Sequence, residues 1–151
     1  MSLVYLGLGT NLGDKEQHLN DAVLELSLEV GSVVSLSSFY ASKPWGFNSG
    51  NVFLNTVVLM ETNLSPAKVL SMIQLIEKKL GRTAKTVAGY EDRLIDIDIL
   101  LYDMLIIDQP SLKIPHPLIS KRDFVLIPLT EIAPDIVDPV SGKKFKDYIR
   151  Q

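Results

Sequence analysis

The chain has 151 residues, a net charge of −3, 46% apolar and 22% charged residues, and no cysteine. That length predicts one domain over residues 1–151, able to bury its own core. The absence of thiols excludes disulfides, thiolate metal centres and cysteine nucleophiles, and the acidic balance lacks the basic stripe of a nucleic-acid binder. With no 18-residue apolar run, no membrane-spanning helix is expected. The chain starts on a strand-like segment with no basic leader, which predicts a cytosolic protein.

Residues 2–9 alternate and predict a buried first strand. Thr10, Asn11, Leu12, Gly13 and Asp14 are turn residues. A helix follows, with Leu19, Ala22, Val23, Leu26 and Val30 in one apolar stripe and Gly31 placed to end it. Residues 33–42 predict a second strand, and 43–51 a loop rich in Pro, Gly and Asn. Residues 52–61 predict a third strand, with Phe53, Asn55, Val57 and Leu59 on one face. Ser65-Pro66 opens a second helix, serine as cap and proline in the first turn. Val69, Leu70, Ile73, Ile76, Glu77 and Leu80 follow helical spacing, and Gly81 is its expected cap.

Residues 82–92 have no apolar period and predict a partly basic loop, with Lys78, Lys79, Arg82, Lys85 and Arg93 clustered around it. Such an island on an acidic chain suits a small polyanion. Residues 93–102 predict the fourth strand, 104–107 a short fifth, and 122–132 and 144–149 short helices. The order strand, helix, strand, strand, helix, strand predicts an α+β fold. It is the ferredoxin-like βαββαβ sandwich, with an antiparallel sheet, helices on one face and extra C-terminal elements. A doubly wound fold would need a helix between every pair of strands, and residues 33–61 offer none.

Asp96 and Asp98 carry the strongest chemical signal. On a strand they share one face while Ile95, Ile97 and Ile99 take the other, and the roots of the two carboxylates lie roughly 6.5–7 Å apart. Parallel carboxylates repel and call for a hard divalent cation, Mg²⁺ above all, which in turn holds phosphates. The bland alternative is a solvated polar face. The apolar run from Ile99 to Tyr102 predicts an interior place in the sheet. Gly7-Leu8-Gly9 with Gly13 misses the dinucleotide fingerprint by one position, and no G-K-[ST] occurs. Nucleotide phosphates would then be held by metals and side chains.

Arg82, after Gly81, offers a planar fork for phosphate oxygens, or is simply a solvated turn. His116, between Pro115 and Pro117, has a rigid backbone suited to a phosphate contact; the alternative is a structural histidine. His18 is expected on the surface. Trp45, Phe53 and Phe124 are either core residues or the walls of a slot for a flat heterocycle whose edge Asn55 reads.

Together these residues resemble the 6-hydroxymethyl-7,8-dihydropterin pyrophosphokinases of folate biosynthesis. The likeness runs in order through Gly9-Thr10-Asn11-Leu12-Gly13, Phe39-Tyr40, Pro44-Trp45-Gly46, Phe53-Leu54-Asn55, Gly81-Arg82, Arg93 with Asp96-Ile97-Asp98, Pro115-His116, Arg122 with Phe124, and Glu131-Ile132-Ala133-Pro134. R-x-x-D-[LIV]-D-[LIV] is the family signature. The resemblance implies transfer of pyrophosphate from ATP to the pterin's hydroxymethyl oxygen, with release of AMP. It implies that Asp96 and Asp98 hold two Mg²⁺ ions and that Arg82 and Arg93 serve the triphosphate. His116 and Arg122 would contact the phosphates, and Leu70, Gln74, Glu77, Ile99 and Lys113 would lie near the adenosine. Phe53 and Phe124 would sandwich the pterin, with Ser42, Pro44, Trp45, Asn55 and Asp96 around its edge. The implied partners are two small molecules, ATP and a reduced pterin, bound by a monomer or weak homodimer.

The sequence also departs from the family pattern. Glu91-Asp92 replaces Gly-Pro before Arg93, Ala84 replaces a second arginine, and Tyr90 stands near the place of a tryptophan. These changes bear on the loop that closes over ATP in the family. Two other classes stay open on the residues alone: a two-metal nucleotidyltransferase and a non-catalytic ferredoxin-like ligand-binding module.

Overall fold

A computed structural model describes residues 1–43, 52–82 and 94–150, Arg82 in its backbone only. Alternation and capping account for its first half. β1 (Ser2–Thr10) turns Val4, Leu6 and Leu8 to one face, all buried. Asp14 caps α1 (Lys15–Glu29) by accepting the Gln17 N–H at 3.2 Å, and Leu19, Ala22 and Leu26 line its buried stripe. Ser65 caps α2 (Pro66–Glu77) by accepting the Lys68 N–H at 3.3 Å, with Pro66 in the first turn. A wide turn, Lys78–Arg82, then ends on Gly81, whose φ of 114° only glycine adopts without strain.

β1, β4 (Phe53–Thr62), β2 (Gly31–Leu36) and β5 (Asp96–Tyr102) form one antiparallel sheet in the order β2-β4-β1-β5, and β3 (Tyr40–Ser42) also pairs with β4. The first strand thus lies between the third and the last of the βαββαβ unit, the arrangement expected of a ferredoxin-like sandwich. α1 and α2 cover one face over a core that includes Leu6, Leu8, Leu26, Val58, Ile73 and Ile97. α3 (Asp123–Ile132) and the short turns Ile119–Lys121 and Phe145–Tyr148 cover part of the other, over Val57, Leu100, Leu101, Leu126, Leu129 and Phe145. Among the described residues, no helix is long and apolar enough to cross a membrane.

Several expectations need correction. β5 is not interior: among the described residues it pairs with β1 alone and forms an edge of the sheet. Its apolar run reflects burial on both faces, aided by a register shift opposite Tyr5 and Leu6. The shift leaves Leu100 without its own partner, so that Leu100 and Leu101 both join the core under α3 while Tyr102 returns to the helix side. The second strand is not continuous. It breaks at 37–39, where buried Ser37 replaces the ladder: its N–H donates to the Val57 carbonyl and its hydroxyl accepts the Val57 N–H, each at 2.9 Å.

In place of the expected strand over 104–107, residues 104–106 are an exposed connection after Asp103, which has φ 49°. The hairpin comes later, as β6 (Ile107–Gln109) and β7 (Leu112–Ile114). Gly31 does not cap α1. It opens β2, where a Cβ would fall 1.9 Å from the Glu61 carbonyl oxygen, so close backbone approach demands glycine. His18 is not a free surface residue: its ring lies against Gly13, and its Nδ1 is buried.

Candidate active site

On the sheet face under α3, one end of β1 lacks side chains. β1 presents Gly7 and Gly9 there, opposite Asp98 and Asp96 of β5 on one side and Val57 and Asn55 of β4 on the other. Tyr40 of β3 pairs with Asn55, and Ser42 with Phe53. One row across the sheet therefore reads Tyr40, Asn55, Gly9, Asp96. Asn55 and Asp96 stand two strands apart, roughly 10 Å, with a side chain missing between them. That is a floor on which a flat bicyclic ring can lie.

The orientation of Asn55 is set by its neighbours. It is buried, and its amide nitrogen donates to the Tyr40 carbonyl at 3.0 Å and the Ser42 hydroxyl at 2.7 Å. Both donors being engaged, the carbonyl oxygen Oδ1 is turned over Gly9, where an added Cβ would lie 3.1 Å from it. Asn55 thus offers an acceptor to the ring's edge. Glu131 of α3 steadies β3 from behind: its carboxylate accepts the Ser38 N–H at 3.0 and 3.1 Å and the Ser38 hydroxyl at 2.9 Å.

On the far side of Asp96 and Asp98, a cleft of about 230 Å³ runs along the outer edge of β5. Leu70, Ile97, Asp98, Ile99, Pro110, Ser111, Leu112, Lys113, His116 and Pro117 line it. His116 is tied to β5 through its N–H, which donates to the Leu100 carbonyl at 2.9 Å. Its Nδ1 accepts the Leu118 N–H at 3.1 Å, so the neutral ring carries its proton on Nε2. Burial pushes its pKa down to about 4, and the charge of Arg122 acts in the same direction; the carboxylate of Asp96 opposes them. His116 is therefore a neutral hydrogen-bond donor at ordinary pH. The Arg122 guanidinium carbon lies 5.6 Å from the centre of the Phe124 ring, within cation–π range.

The cleft brings together Leu70, Asp98, Ile99, Lys113 and His116, and Asp96 and Arg122 act on His116 from beside it. Lys113 stands at the rim, paired with Asp108 at 2.6 Å. Phe53, Asn55 and Ser42 meet on the floor, and Phe124 opens α3 on the same side of the sheet. Gln74 is not in the cleft; it is exposed on α2. Glu77 is not there either: it is buried and accepts the Ile97 N–H. Pro44, Trp45 and Arg93, the Arg82 side chain, and the departures at Ala84, Tyr90, Glu91 and Asp92 lie outside the described residues. Sequence reading missed Gly9 as the floor; Gly7, two residues before it, is covered by the Leu100 side chain. The period-2 spacing of these glycines, matched to that of Asp96 and Asp98, was the available signal.

Two carboxylates alone do not make an all-protein metal cage, and among the described residues no group of three or more His, Cys, Asp or Glu is placed to do so. This donor set fits Mg²⁺, which is commonly held by one or two carboxylates and completed by substrate phosphates and water.

The strand order and the two covered faces make this an α+β protein of the ferredoxin-like class, with the Asn55–Gly9–Asp96 row and the cleft that holds Asp98 meeting at β5. The sequence profile described as 7,8-dihydro-6-hydroxymethylpterin-pyrophosphokinase (HPPK) matches residues 5–134. The 2-amino-4-hydroxy-6-hydroxymethyldihydropteridine pyrophosphokinase of Porphyromonas gingivalis is 47% identical over 136 residues, 89% of this chain and 92% of that one. The protein of the same name from Aquifex aeolicus is 41% identical over 148 residues, 98% and 91% of the two chains. The crystal structure of wild-type Plasmodium falciparum HPPK-DHPS with pteroate superposes with a TM-score of 0.78 over 97% of this chain and 43% of that longer one; at 14% identity this speaks to the fold. The chain belongs to the 7,8-dihydro-6-hydroxymethylpterin-pyrophosphokinase family.

Proposed function

We propose that this chain transfers pyrophosphate from ATP to the hydroxymethyl oxygen of 6-hydroxymethyl-7,8-dihydropterin and releases AMP, a step of folate biosynthesis. We assign it as one catalytic domain, cytosolic, a monomer or weak homodimer. The observation that carries the reading is the shared position of Asp96. It ends the row Asn55–Gly9–Asp96 on the ring floor, and its charge acts on His116, which lines the cleft.

Family membership supports the reaction, and the geometry supports the roles. Asn55 Oδ1 accepts from the N–H edge of the pterin, and the neighbouring Ser42 holds the Asn55 amide rather than the ring. Phe53 and Phe124 supply apolar walls, each aromatic pair contributing about 0.5–1.5 kcal/mol beyond burial. Leu70 and Ile99 supply apolar contact for the nucleoside. His116 Nε2–H and the Arg122 guanidinium donate to phosphate oxygens. Arg82 and Arg93 take the remaining phosphate charge. Asp96 and Asp98 would hold the two Mg²⁺ ions, whose charge would offset that of the triphosphate and acidify the attacking hydroxyl. The remaining task is alignment: in phosphoryl transfers, positioning and charge neutralisation supply most of the catalysis.

A product assay tests this. The chain is incubated with ATP and Mg²⁺, with and without the pterin, and nucleotides are separated by chromatography. AMP formed only with the pterin is the expected result. Inorganic pyrophosphate with a nucleotidyl adduct would instead mark a nucleotidyltransferase. Unchanged ATP together with measurable ligand binding would mark a non-catalytic module.

A further inference from the structure

Glu77 closes α2 at a place where two physical effects disfavour an acid. The C-terminal end of a helix carries partial negative charge, and the last turn of α2 holds no basic residue. The side chain is also buried, at 5% exposure, and a buried carboxylate is tolerated only when its oxygens are engaged. Glu77 Oε2 accepts the backbone N–H of Ile97 at 2.8 Å, across the gap from helix to sheet.

Ile97 is the residue between Asp96 and Asp98. Its N–H points away from β1, toward the side of β5 that carries no further strand among the described residues. The nitrogen that Glu77 holds belongs to the peptide unit joining Asp96 to Ile97. The tilt of that unit sets ψ of Asp96 and φ of Ile97, and hence the relative aim of the two carboxylates. Asp96 is moreover the first residue of β5, where a strand end opens most readily. Two like charges that repel each other at an edge strand's first residues need an external constraint.

We infer that Glu77 is a positioning residue for the Asp96–Asp98 pair: by holding the Asp96–Ile97 peptide it pre-aims both carboxylates for the cation, and it does not touch the nucleotide. This differs from the family-implied place beside the adenosine, and it rests on the reading of Asp96 and Asp98 as the metal pair. The Glu77–Ile97 bond acts one step behind that pair, as supports of metal ligands do elsewhere.

The test titrates Mn²⁺ by EPR into the full chain with a non-hydrolysable ATP analogue, for wild type, Glu77→Leu, Glu77→Asp, Glu77→Gln and Asp98→Asn. Thermal unfolding and analogue binding in EDTA are measured beside it. Glu77→Leu should weaken Mn²⁺ roughly 10–100-fold, and Glu77→Gln, whose amide oxygen still accepts, should stay within about threefold of wild type. Analogue binding in EDTA should be the same in all four folded Glu77 forms. An unchanged Mn²⁺ affinity in Glu77→Leu overturns the inference even if its melting temperature falls, because that is a structural role alone. A parallel loss of analogue binding in EDTA overturns it in favour of nucleotide contact. If Glu77→Leu does not fold, Glu77→Asp, one methylene short of Ile97, carries the same comparison. The Asp98→Asn arm separates the two readings. Unchanged Mn²⁺ affinity there refutes the metal pair itself, whereas a loss there without one in Glu77→Leu refutes only the role of Glu77.

Discussion

Toward α1 and α2, β1 offers Val4, Leu6 and Leu8; toward α3 the same strand offers Tyr5, Gly7 and Gly9. β5 repeats the contrast, with Ile97 and Ile99 on the helix side and Asp96 and Asp98 on the other. One sheet thus carries a filled face and one hollowed at Gly9, beyond the Leu100 side chain that covers Gly7. The filled face supplies rigidity through close packing. The hollowed face supplies a floor and charge, held in place by that rigidity. Stability and chemistry are separated by strand alternation: neighbouring residues serve opposite tasks because their side chains point opposite ways.

That separation can be broken by substitution on either side. Leu6→Ala, at a fully buried position of the filled face, should cost about 2–5 kcal/mol in denaturant unfolding while leaving turnover per folded molecule intact. Asp98→Ala should do the reverse. Turnover should fall at least roughly 10²-fold, the scale of losing one preorganised electrostatic group, with little change in unfolding. Near-normal rates at low Mg²⁺ would remove Asp98 from the chemistry.

Gly9→Ala puts a methyl 3.1 Å from Asn55 Oδ1, whose amide is held by two hydrogen bonds and gives way poorly. Calorimetry should show pterin binding about tenfold weaker, roughly 1.4 kcal/mol, with ATP-analogue binding unchanged. Equal losses for both ligands would mean that the floor is not a ring site. Phe124→Ala should likewise weaken pterin more than ATP analogue, by the order of 0.5–1.5 kcal/mol beyond lost burial.

His116 gives the smallest and most pH-dependent effect. Its pKa is about 4 in the fold against an ordinary 6.5. Between those values the unfolded chain binds a proton that the folded one refuses. The stability this group contributes is therefore present above pH 6.5 and lost as pH falls toward 4. Urea unfolding of wild type and His116→Gln across pH 4–7 should show the difference between them shrink or reverse toward the acid end. Identical slopes would mean that the ring is not held neutral.

Much of this was legible in the chain. The paired aspartates on one strand face, the Ser65-Pro66 helix start and the βαββαβ order are local patterns, and the fold kept them. So was the meeting of Leu70, Ile99, Lys113 and His116, which the resemblance implied and the cleft brings together. Other readings failed for physical reasons. An apolar run such as Ile99–Tyr102 reports burial on two faces, and either a neighbouring strand or a covering helix produces the same pattern. Gly31 read as a helix stop because close approach to the Glu61 backbone leaves no mark near it in sequence. Glu77 does lie on the buried stripe of α2 as read; what the sequence hid is its partner, since Ile97 lies 20 residues on.

The amino-acid order by itself determined which residues share a face, because side-chain direction repeats every two residues in a strand and every 3.6 in a helix. Only the tertiary structure decided that β5 is an edge among the described strands, that Gly9 of β1 lies between Asn55 and Asp96, and that a helix-end acid reaches the peptide between the two aspartates. Those are contacts between segments distant in the chain, set by strand pairing and packing rather than by any local preference.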